Sequence, residues 1–278
     1  MNIILIPVYN DWRSLDQLLL RVNNKTKKTN PVKILIVDDC SNIKCRFDLK
    51  KFNKIKEVKI LKLNKNVGSQ KAIAAGLEYL KNLNKFFYVT IMDSDGEDDP
   101  TKINEMLNTA KKYKNYVIVS CRKKREGGFI IQFSYKIHLL LCLLLTGRWV
   151  NFGNFSCFHS KNLKFLLSNN SVWLAYSSAV LKNTKIKRLY AARKKRYFEQ
   201  SKVNFLQLLE HSMRVMGVFY KRIFLVSLLY AILASRVFVE FSTSIYLLII
   251  LINFLILFVL AKNYTRGKPG YSSYLKNI

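Results

Sequence analysis

Apolar residues in the first 122 positions fall into short runs, separated by stretches in which they recur at helical spacing. Residues 2–9 (NIILIPVY) form one such run, which stops at Pro7-x-Tyr9-Asn10. This is the pattern of a buried strand feeding a loop. The next stretch, DWRSLDQLLLRV, has helical spacing, and Asp11 or Ser14 is placed to cap it. Further strands are predicted at 32–42 (VKILIVDDCSN), 57–68 (EVKILKLNKNVG), 85–96 (KFFYVTIMDSDG) and 115–122 (NYVIVSCR). Helices are predicted over 69–83 and 100–113, the second opened by Pro100, a residue favoured in a first helical turn.

Strands alternating with helices imply a mostly parallel sheet wrapped by helices. In such sheets ligands bind outside the carboxyl ends of the strands. The acids at 38–39 and 93–99 and Arg122 all fall at predicted strand ends, so they should converge on one edge.

Beyond Arg122 the pattern changes. Residues 122–128 (RKKREGG) are a basic loop, and 129–147 is a helix apolar on one side. Its uninterrupted apolar run, 139–145, is too short to cross a bilayer. A helix lying at the membrane interface is expected, with a buried core helix as the alternative. Residues 242–261 carry no charge, and about 20 such residues suffice to cross the hydrocarbon core. A second candidate, 223–241, carries Arg236 and Glu240, which are spaced to pair and to reach the interface. Lys221 and Arg222 precede this pair of segments, and Lys262, Arg266 and Lys268 follow it, so both ends are expected in the cytoplasm. The organisation expected is a cytoplasmic domain over 1–218, a transmembrane hairpin over 219–262, and a basic cytoplasmic tail over 263–278.

The net charge of +30 points to polyanionic partners: nucleic acid, anionic lipid or a phosphorylated substrate. Part of the excess reads as ordinary solvated lysine, and part as attraction to an anionic membrane. The five cysteines form no C-x-x-C pair, and an odd count argues against a disulfide framework, so they read as reduced thiols. The N-terminus, MNIILIPVYN, is too short and uncharged for a signal peptide.

Against that basic background, DSDGEDDP (93–100) gathers five of the chain's 17 acids: Asp93, Asp95, Glu97, Asp98 and Asp99. Like charges this close repel, and a divalent cation is the usual counterweight. Asp93-x-Asp95 suits Mg²⁺ or Mn²⁺, with substrate phosphates completing the shell. The alternative, acids gathered at a helix N-terminus, accounts for one or two of the five. The same acids would repel a nucleic acid, so none is expected as partner. There is no G-x-G-x-x-G after the first strand and no G-x-x-x-x-G-K-[ST]. The sequence therefore points away from a dinucleotide-dependent dehydrogenase and a P-loop NTPase.

IPVYN (6–10), VDDCS (37–41), NVGSQKAIAAGL (66–77) and MDSDGEDDP (92–100) occur in an order and spacing that resembles family 2 glycosyltransferases. MDSDGEDDP is similar to the M-D-A-D-L-Q-D-P-P segment of the polyprenyl-phosphate branch, the dolichyl-phosphate mannose synthase-like enzymes. The resemblance implies a GT-A (Rossmann-like) α/β domain followed by the transmembrane hairpin, a UDP- or GDP-sugar donor, a Mg²⁺ or Mn²⁺ cofactor and a polyprenyl-phosphate acceptor in cell-envelope polysaccharide biosynthesis. By it, Pro7, Tyr9, Asp38 and Asp39 would line the nucleotide, and Asp93 and Asp95 would bind the donor and metal. Glu97 stands where this branch has a metal-binding Gln. Lys71 would reach the nucleotide, unless it is a helix-surface lysine. CRKKREGG resembles the family's Arg-x-x-Arg loop, which assigns phosphates to Arg122 and Arg125. ARKKRYFEQSKVNF (192–205) resembles R-x-x-R-x-G-x-S-K-Y, with Phe198 where glycine is usual. Arg193, Arg196, Ser201 and Lys202 would then face the donor diphosphate or a lipid phosphate.

One departure bears on mechanism. FGNFSCFHS (152–160) resembles the family's G-D-F-R-L segment, but Asn154 replaces the acid and Ser156 the arginine. Transfer to a sugar hydroxyl needs a general base in reach, which Asn cannot be. A lipid phosphate is already ionised and needs none. The expected reaction is therefore an inverting displacement by a polyprenyl phosphate. Transfer to a hydroxyl of a lipid-linked oligosaccharide or surface polysaccharide is the alternative. A basic membrane-tethered scaffold without catalysis is the second alternative, and a homo-oligomer is compatible with all three.

Overall fold

The computed structural model of the chain describes residues 1–26, 31–45, 48, 51–83, 87–122, 129–198, 205–237, 242–265 and 267–276. Two compact units emerge: one comprises 1–125, 152–201 and 268–278, the other 126–151 and 202–267. The elements run in chain order as β1 (Asn2–Val8), α1 (Trp12–Lys25), β2 (Val32–Asp38), β3 (Ile55–Leu63), α2 (Ser69–Lys81), β4 (Tyr88–Ile91), α3 (Ile103–Lys112), β5 (Tyr116–Arg122), α4 (Phe129–Thr146), β6 (Phe152–His159), α5 (Leu163–Leu166), α6 (Ser171–Leu174), α7 (Tyr176–Asn183), β7 (Lys185–Ala191), α8 (Phe205–Gly217), α9 (Tyr220–Val237), α10 (Ser242–Thr265) and β8 (Tyr271–Lys276).

The first unit is built on one eight-stranded sheet, ordered β7-β5-β6-β4-β1-β2-β3-β8. β1 pairs in parallel with β2 and β4, β2 with β3, and β5 with β7. Only β6, between β4 and β5, and β8, outside β3, run antiparallel to their neighbours. The expected mostly parallel α/β sheet is therefore present. Alternate residues of each strand face opposite sides. Ile4, Ile6 and Val8 of β1 pack with Leu15, Leu18 and Leu19 of α1 and Ile103, Met106 and Leu107 of α3. The other face is covered by α2, where Gly76 permits close approach. A Cβ there would lie 2.6 Å from Leu5 Cδ1 and 2.9 Å from Val37 Cγ2.

Three strands differ from the sequence expectation, and of these β7, which pairs in parallel with β5, had no prediction at all. β6 was foreseen only as a motif segment. Its register pairs Ser156 with Ile91, so continuing the antiparallel ladder brings Asn154 opposite Asp93. The last difference is a correction: within 263–278, expected as a basic tail, Tyr271–Lys276 form a strand of the sheet. Tyr271 to Lys276 pair with Leu63 to Val58 as an edge strand, satisfying backbone groups that β3 would otherwise leave open. Tyr271 also packs edge-on against Tyr79, with ring centroids 6.4 Å apart.

The second unit is helical. α4 buries Leu139, Cys142 and Leu145, and exposes Phe133, Ile137, Leu140 and Leu144. α10 is 24 residues long, about 36 Å at the usual helical rise, and its apolar stretch Thr243–Asn263 is long enough to cross a membrane. Among the described residues, α9 meets that length and composition only together with α8, across a bend of 89°. Glu240, the expected partner of Arg236, lies outside the described residues. Asn253 of α10 donates to Ser227 Oγ of α9 at 3.1 Å, a polar link between two apolar helices. Lys262 pairs with Glu210 at 2.9 Å.

Candidate active site

The parallel strands end along one edge of the sheet, and the acid-rich segment 93–99 leaves β4 there. Each of its five acids has a partner. Asp93 accepts from Asn154 Nδ2, at 3.0 Å on Oδ1 and 3.4 Å on Oδ2. Asp98 accepts from the Asp93 backbone N–H at 3.0 Å. Asp95 accepts from the Glu97 N–H at 3.0 Å, and its other oxygen pairs with Arg196 Nη2 at 2.9 Å. Glu97 pairs with Arg193 and, at 3.1 Å, with Arg196 Nε. Asp99 caps the turn that opens α3 by accepting from the Thr101 N–H at 3.0 Å, with Lys194 Nζ at 3.5 Å. Burial alone would raise the Asp99 carboxyl; the Thr101 and Lys194 contacts outweigh it and hold the group below its ordinary value.

The cationic partners come from one segment. Residues 192–198 lie over the acidic loop as a strap. The Lys194 N–H donates to the Glu97 carbonyl at 2.9 Å, and the Tyr197 N–H to the Asp95 carbonyl at 3.0 Å. The Tyr197 ring sits on Gly96, whose φ of +89° favours glycine and where a Cβ would lie 2.5 Å from the ring. Arg21 stacks over Tyr197 at 4.7 Å and Arg13 over Phe198 at 4.0 Å, which anchors the strap to α1. The charge repulsion expected to require a metal ion is thus offset by the chain's own guanidinium groups.

Among the described residues no three acid, histidine or cysteine side chains converge as a ready-made metal site. Asp93 and Asp95 still offer hard oxygen donors suited to Mg²⁺ or Mn²⁺ with phosphate oxygens completing the shell. For Asp95 to serve, Arg196 must release it. A cleft beside the strap, lined by Glu97, Asp98, Ser120, Phe155 and Arg193, encloses about 20 Å³, room for a water molecule.

The other sequence candidates lie as follows. Pro7 is buried within β1, paired with Val37, while Tyr9 is 46% exposed just past the strand end. Asp38 is buried and accepts from the Ser41 N–H at 2.9 Å. Asp39 is buried, and its two oxygens accept from the Val67 and Gly68 N–H groups, both at 2.8 Å. These two acids tie loops together at the sheet edge. Burial pushes the Asp39 carboxyl up to about 6, and nearby Asp38 adds to the rise, against the two backbone donors. Lys71 is 2% exposed, which excludes the surface-lysine alternative. Arg122 closes β5, but its side chain, and Arg125, Ser201 and Lys202 entirely, lie outside the described residues.

Sequence reasoning missed Gln70 and Tyr176. Gln70, on the first turn of α2, donates to Asn154 Oδ1 at 3.1 Å and accepts from the Tyr176 N–H at 2.8 Å. A polar residue entering an otherwise apolar helix face was the available signal. Ser156, where the family segment has arginine, is fully buried and bonds the Tyr176 hydroxyl at 2.7 Å.

A mostly parallel α/β sheet with an acidic loop on its carboxyl edge is the GT-A glycosyltransferase fold. The chain superposes on S. aureus TarS 1–349 in complex with UDP-GlcNAc with a TM-score of 0.52 and 19% identity, over 87% of this chain and 72% of that one. Against glucosyl-3-phosphoglycerate synthase from Mycobacterium tuberculosis, crystallised with Mg²⁺ and UDP, the TM-score is 0.54 at 11% identity, over 80% and 79% of the two chains. Residues 3–174, more than half the chain, match the family model "Glycosyl transferase family 2", and the chain belongs to that family. A curated relative is the undecaprenyl-phosphate 4-deoxy-4-formamido-L-arabinose transferase of Proteus mirabilis (strain HI4320), 26% identical over 219 residues. That match covers 74% of this chain and 64% of the relative, so less than two thirds of the relative's length is spanned. The uncharacterized glycosyltransferase YkcC of Bacillus subtilis (strain 168) is 31% identical over 128 residues, 45% of this chain and 38% of YkcC.

Proposed function

We propose that the chain moves a sugar from a UDP- or GDP-linked donor onto a polyprenyl phosphate at a membrane surface. Family 2 membership and the activity for which the Proteus mirabilis relative is named support the reaction class. The single observation that carries the choice of acceptor is Asn154. It stands opposite Asp93, where a hydroxyl acceptor would need a base, and its amide donates rather than accepts a proton-bearing bond there. A phosphate monoester has its second pKa near ~6 and arrives already ionised at neutral pH.

In this reading the acceptor oxygen displaces the nucleoside diphosphate directly at the anomeric carbon, with inversion. A divalent cation held by Asp93 and Asp95, with Glu97 adjacent, would offset charge on the leaving diphosphate. Arg193 and Arg196 exchange their carboxylate partners for donor phosphates as the nucleotide enters, stabilising the same developing charge. Arg122, Arg125, Ser201 and Lys202 are proposed to add phosphate contacts, while Pro7, Tyr9, Asp38, Asp39 and Lys71 frame the nucleotide. α10 embeds in the bilayer, and the exposed apolar face of α4 rests at its interface. Basic residues flanking the apolar helices orient the catalytic unit to the cytoplasm.

The test is incubation of the full-length chain in detergent with a panel of UDP- and GDP-sugars, with Mn²⁺ or Mg²⁺, and either polyprenyl phosphate or the dephosphorylated polyprenol. Nucleoside diphosphate release that requires the phosphate form is expected. Product formed on polyprenol or on an oligosaccharide hydroxyl, and not on polyprenyl phosphate, would overturn the acceptor assignment.

A further inference from the structure

We infer that Gln70 and Asn154 are positioning residues, forming a one-way amide relay that aims the Asp93 carboxylate. The inference rests on the transferase reading above, and extends it to Gln70, which that reading leaves without a role, and to what Asn154 does for Asp93.

The relay starts at a group whose polarity is not in question. The Tyr176 backbone N–H can only donate, and it donates to Gln70 Oε1 at 2.8 Å. The Gln70 amide is thereby fixed, with Nε2 turned toward Asn154. A donor there needs an acceptor, so Asn154 presents Oδ1, at 3.1 Å. Its remaining group, Nδ2, then faces Asp93 at 3.0 Å and 3.4 Å from the two carboxylate oxygens. Amide orientations are usually assigned from a network; here the network has a single solution because it is anchored on a main-chain donor. The anchor is firm: Tyr176 is fully buried and Gln70 is 7% exposed.

A second arm holds the Asn154 backbone. The Tyr176 hydroxyl bonds Ser156 Oγ at 2.7 Å, and Ser156 Oγ donates to the Asn154 carbonyl at 3.0 Å. Since the serine proton goes to that carbonyl, the tyrosine is the donor of the pair. Both arms run from Tyr176 toward Asn154, one through the side chain and one through the main chain.

Position 154 must therefore accept from Gln70 and donate to Asp93 at once. Asn does both. Asp, its isostere, accepts at both ends and would set a second carboxylate against Asp93. Asn154 thus does more than leave the site without a general base. It orients the carboxylate as second-sphere partners orient metal and substrate ligands, a role in which removal typically costs about 10- to 100-fold in affinity.

The test uses the full-length chain in detergent and isothermal titration with Mn²⁺ alone, and with UDP or GDP in the presence of Mn²⁺. Asn154→Leu keeps the volume and removes the donor; a loss of about 10- to 100-fold is expected. Gln70→Glu keeps the bond to Tyr176 but offers Asn154 a second acceptor, so the Asn154 amide turns over and presents Oδ1 to Asp93. A loss of about tenfold is expected although Gln70 does not touch Asp93 and the added negative charge by itself favours a cation. Gln70→Leu breaks the relay without added charge and serves as the second arm if Gln70→Glu does not fold. In an Asn154→Leu background the Gln70 change should add less than about twofold, because the two act through one bond. Thermal unfolding of the same variants reads structural damage separately. Wild-type affinity in both Gln70 variants, or losses that multiply in the double variant, overturns the relay. A wild-type chain that binds none of the three probes overturns the transferase reading, and the relay with it.

Discussion

Replacing Arg196 with methionine removes the guanidinium that bridges Asp95 and Glu97 and keeps much of the side chain's apolar bulk. Arg196 reaches Asp95 at 2.9 Å and Glu97 at 3.1 Å, with its own side chain 30% exposed and the acids 16% and 15%. A charge-assisted bond contributes about 1.5–3 kcal/mol net, and partial exposure places these at the lower end. The two bonds share one guanidinium and do not add. Releasing Asp95 is therefore taken as about 1.5 kcal/mol, close to tenfold in a binding constant. Arg196→Met should bind Mn²⁺ alone about tenfold more tightly than the natural chain, because the cation no longer competes for Asp95. UDP and GDP should bind more weakly, because a phosphate partner is gone. Arg196→Lys should fall between, since an ammonium cannot span both carboxylates. Electron paramagnetic resonance titration of free Mn²⁺ against the detergent-solubilised chain measures the first effect, and nucleotide titration calorimetry the second. Unchanged or weaker Mn²⁺ binding in Arg196→Met refutes the competition between strap and cation.

Gly96→Ala forces a left-handed backbone on alanine, at about 1–2 kcal/mol, and drives its Cβ into the Tyr197 ring. A lower midpoint in urea unfolding is expected, with loss of nucleotide binding, and an unaffected midpoint would contradict the packing described. Asp39→Asn turns one acceptor into a donor facing a backbone N–H and should destabilise by about 1–3 kcal/mol. Because the folded Asp39 carboxyl is raised to about 6, it takes up a proton before the unfolded chain does. Its contribution to stability therefore grows as pH falls from about 7 to about 5, and the wild-type advantage over Asp39→Asn in urea unfolding should widen over that window. A chain ending at Gly267 loses β8 and uncovers the edge of β3, so a lower melting temperature and concentration-dependent association in light scattering are expected.

Hydrophobic periodicity alone located strands β1 to β5 along the chain, because each is a largely apolar run bounded by polar turns; their order in the sheet came only with the fold. Local chemistry also made the acids at 93–99 legible, since a cluster of like charges stands out in a basic chain. What the acids pair with was not legible. Arg193 and Arg196 lie about 100 positions further on, and only the fold lays that strap over the loop. Nor was β6 apparent, because FGNFSCFH reads as a motif rather than a strand, and its antiparallel insertion sets Asn154 beside Asp93. The tail was misread for the same reason: YSSYLK has little local signal, and it is the open edge of β3 that makes it a strand. Composition and spacing determine which groups the chain possesses and which segments must be buried. Only tertiary packing decides which carboxylate meets which cation, because those partners are joined through space by hydrogen-bond and charge geometry that no local pattern encodes.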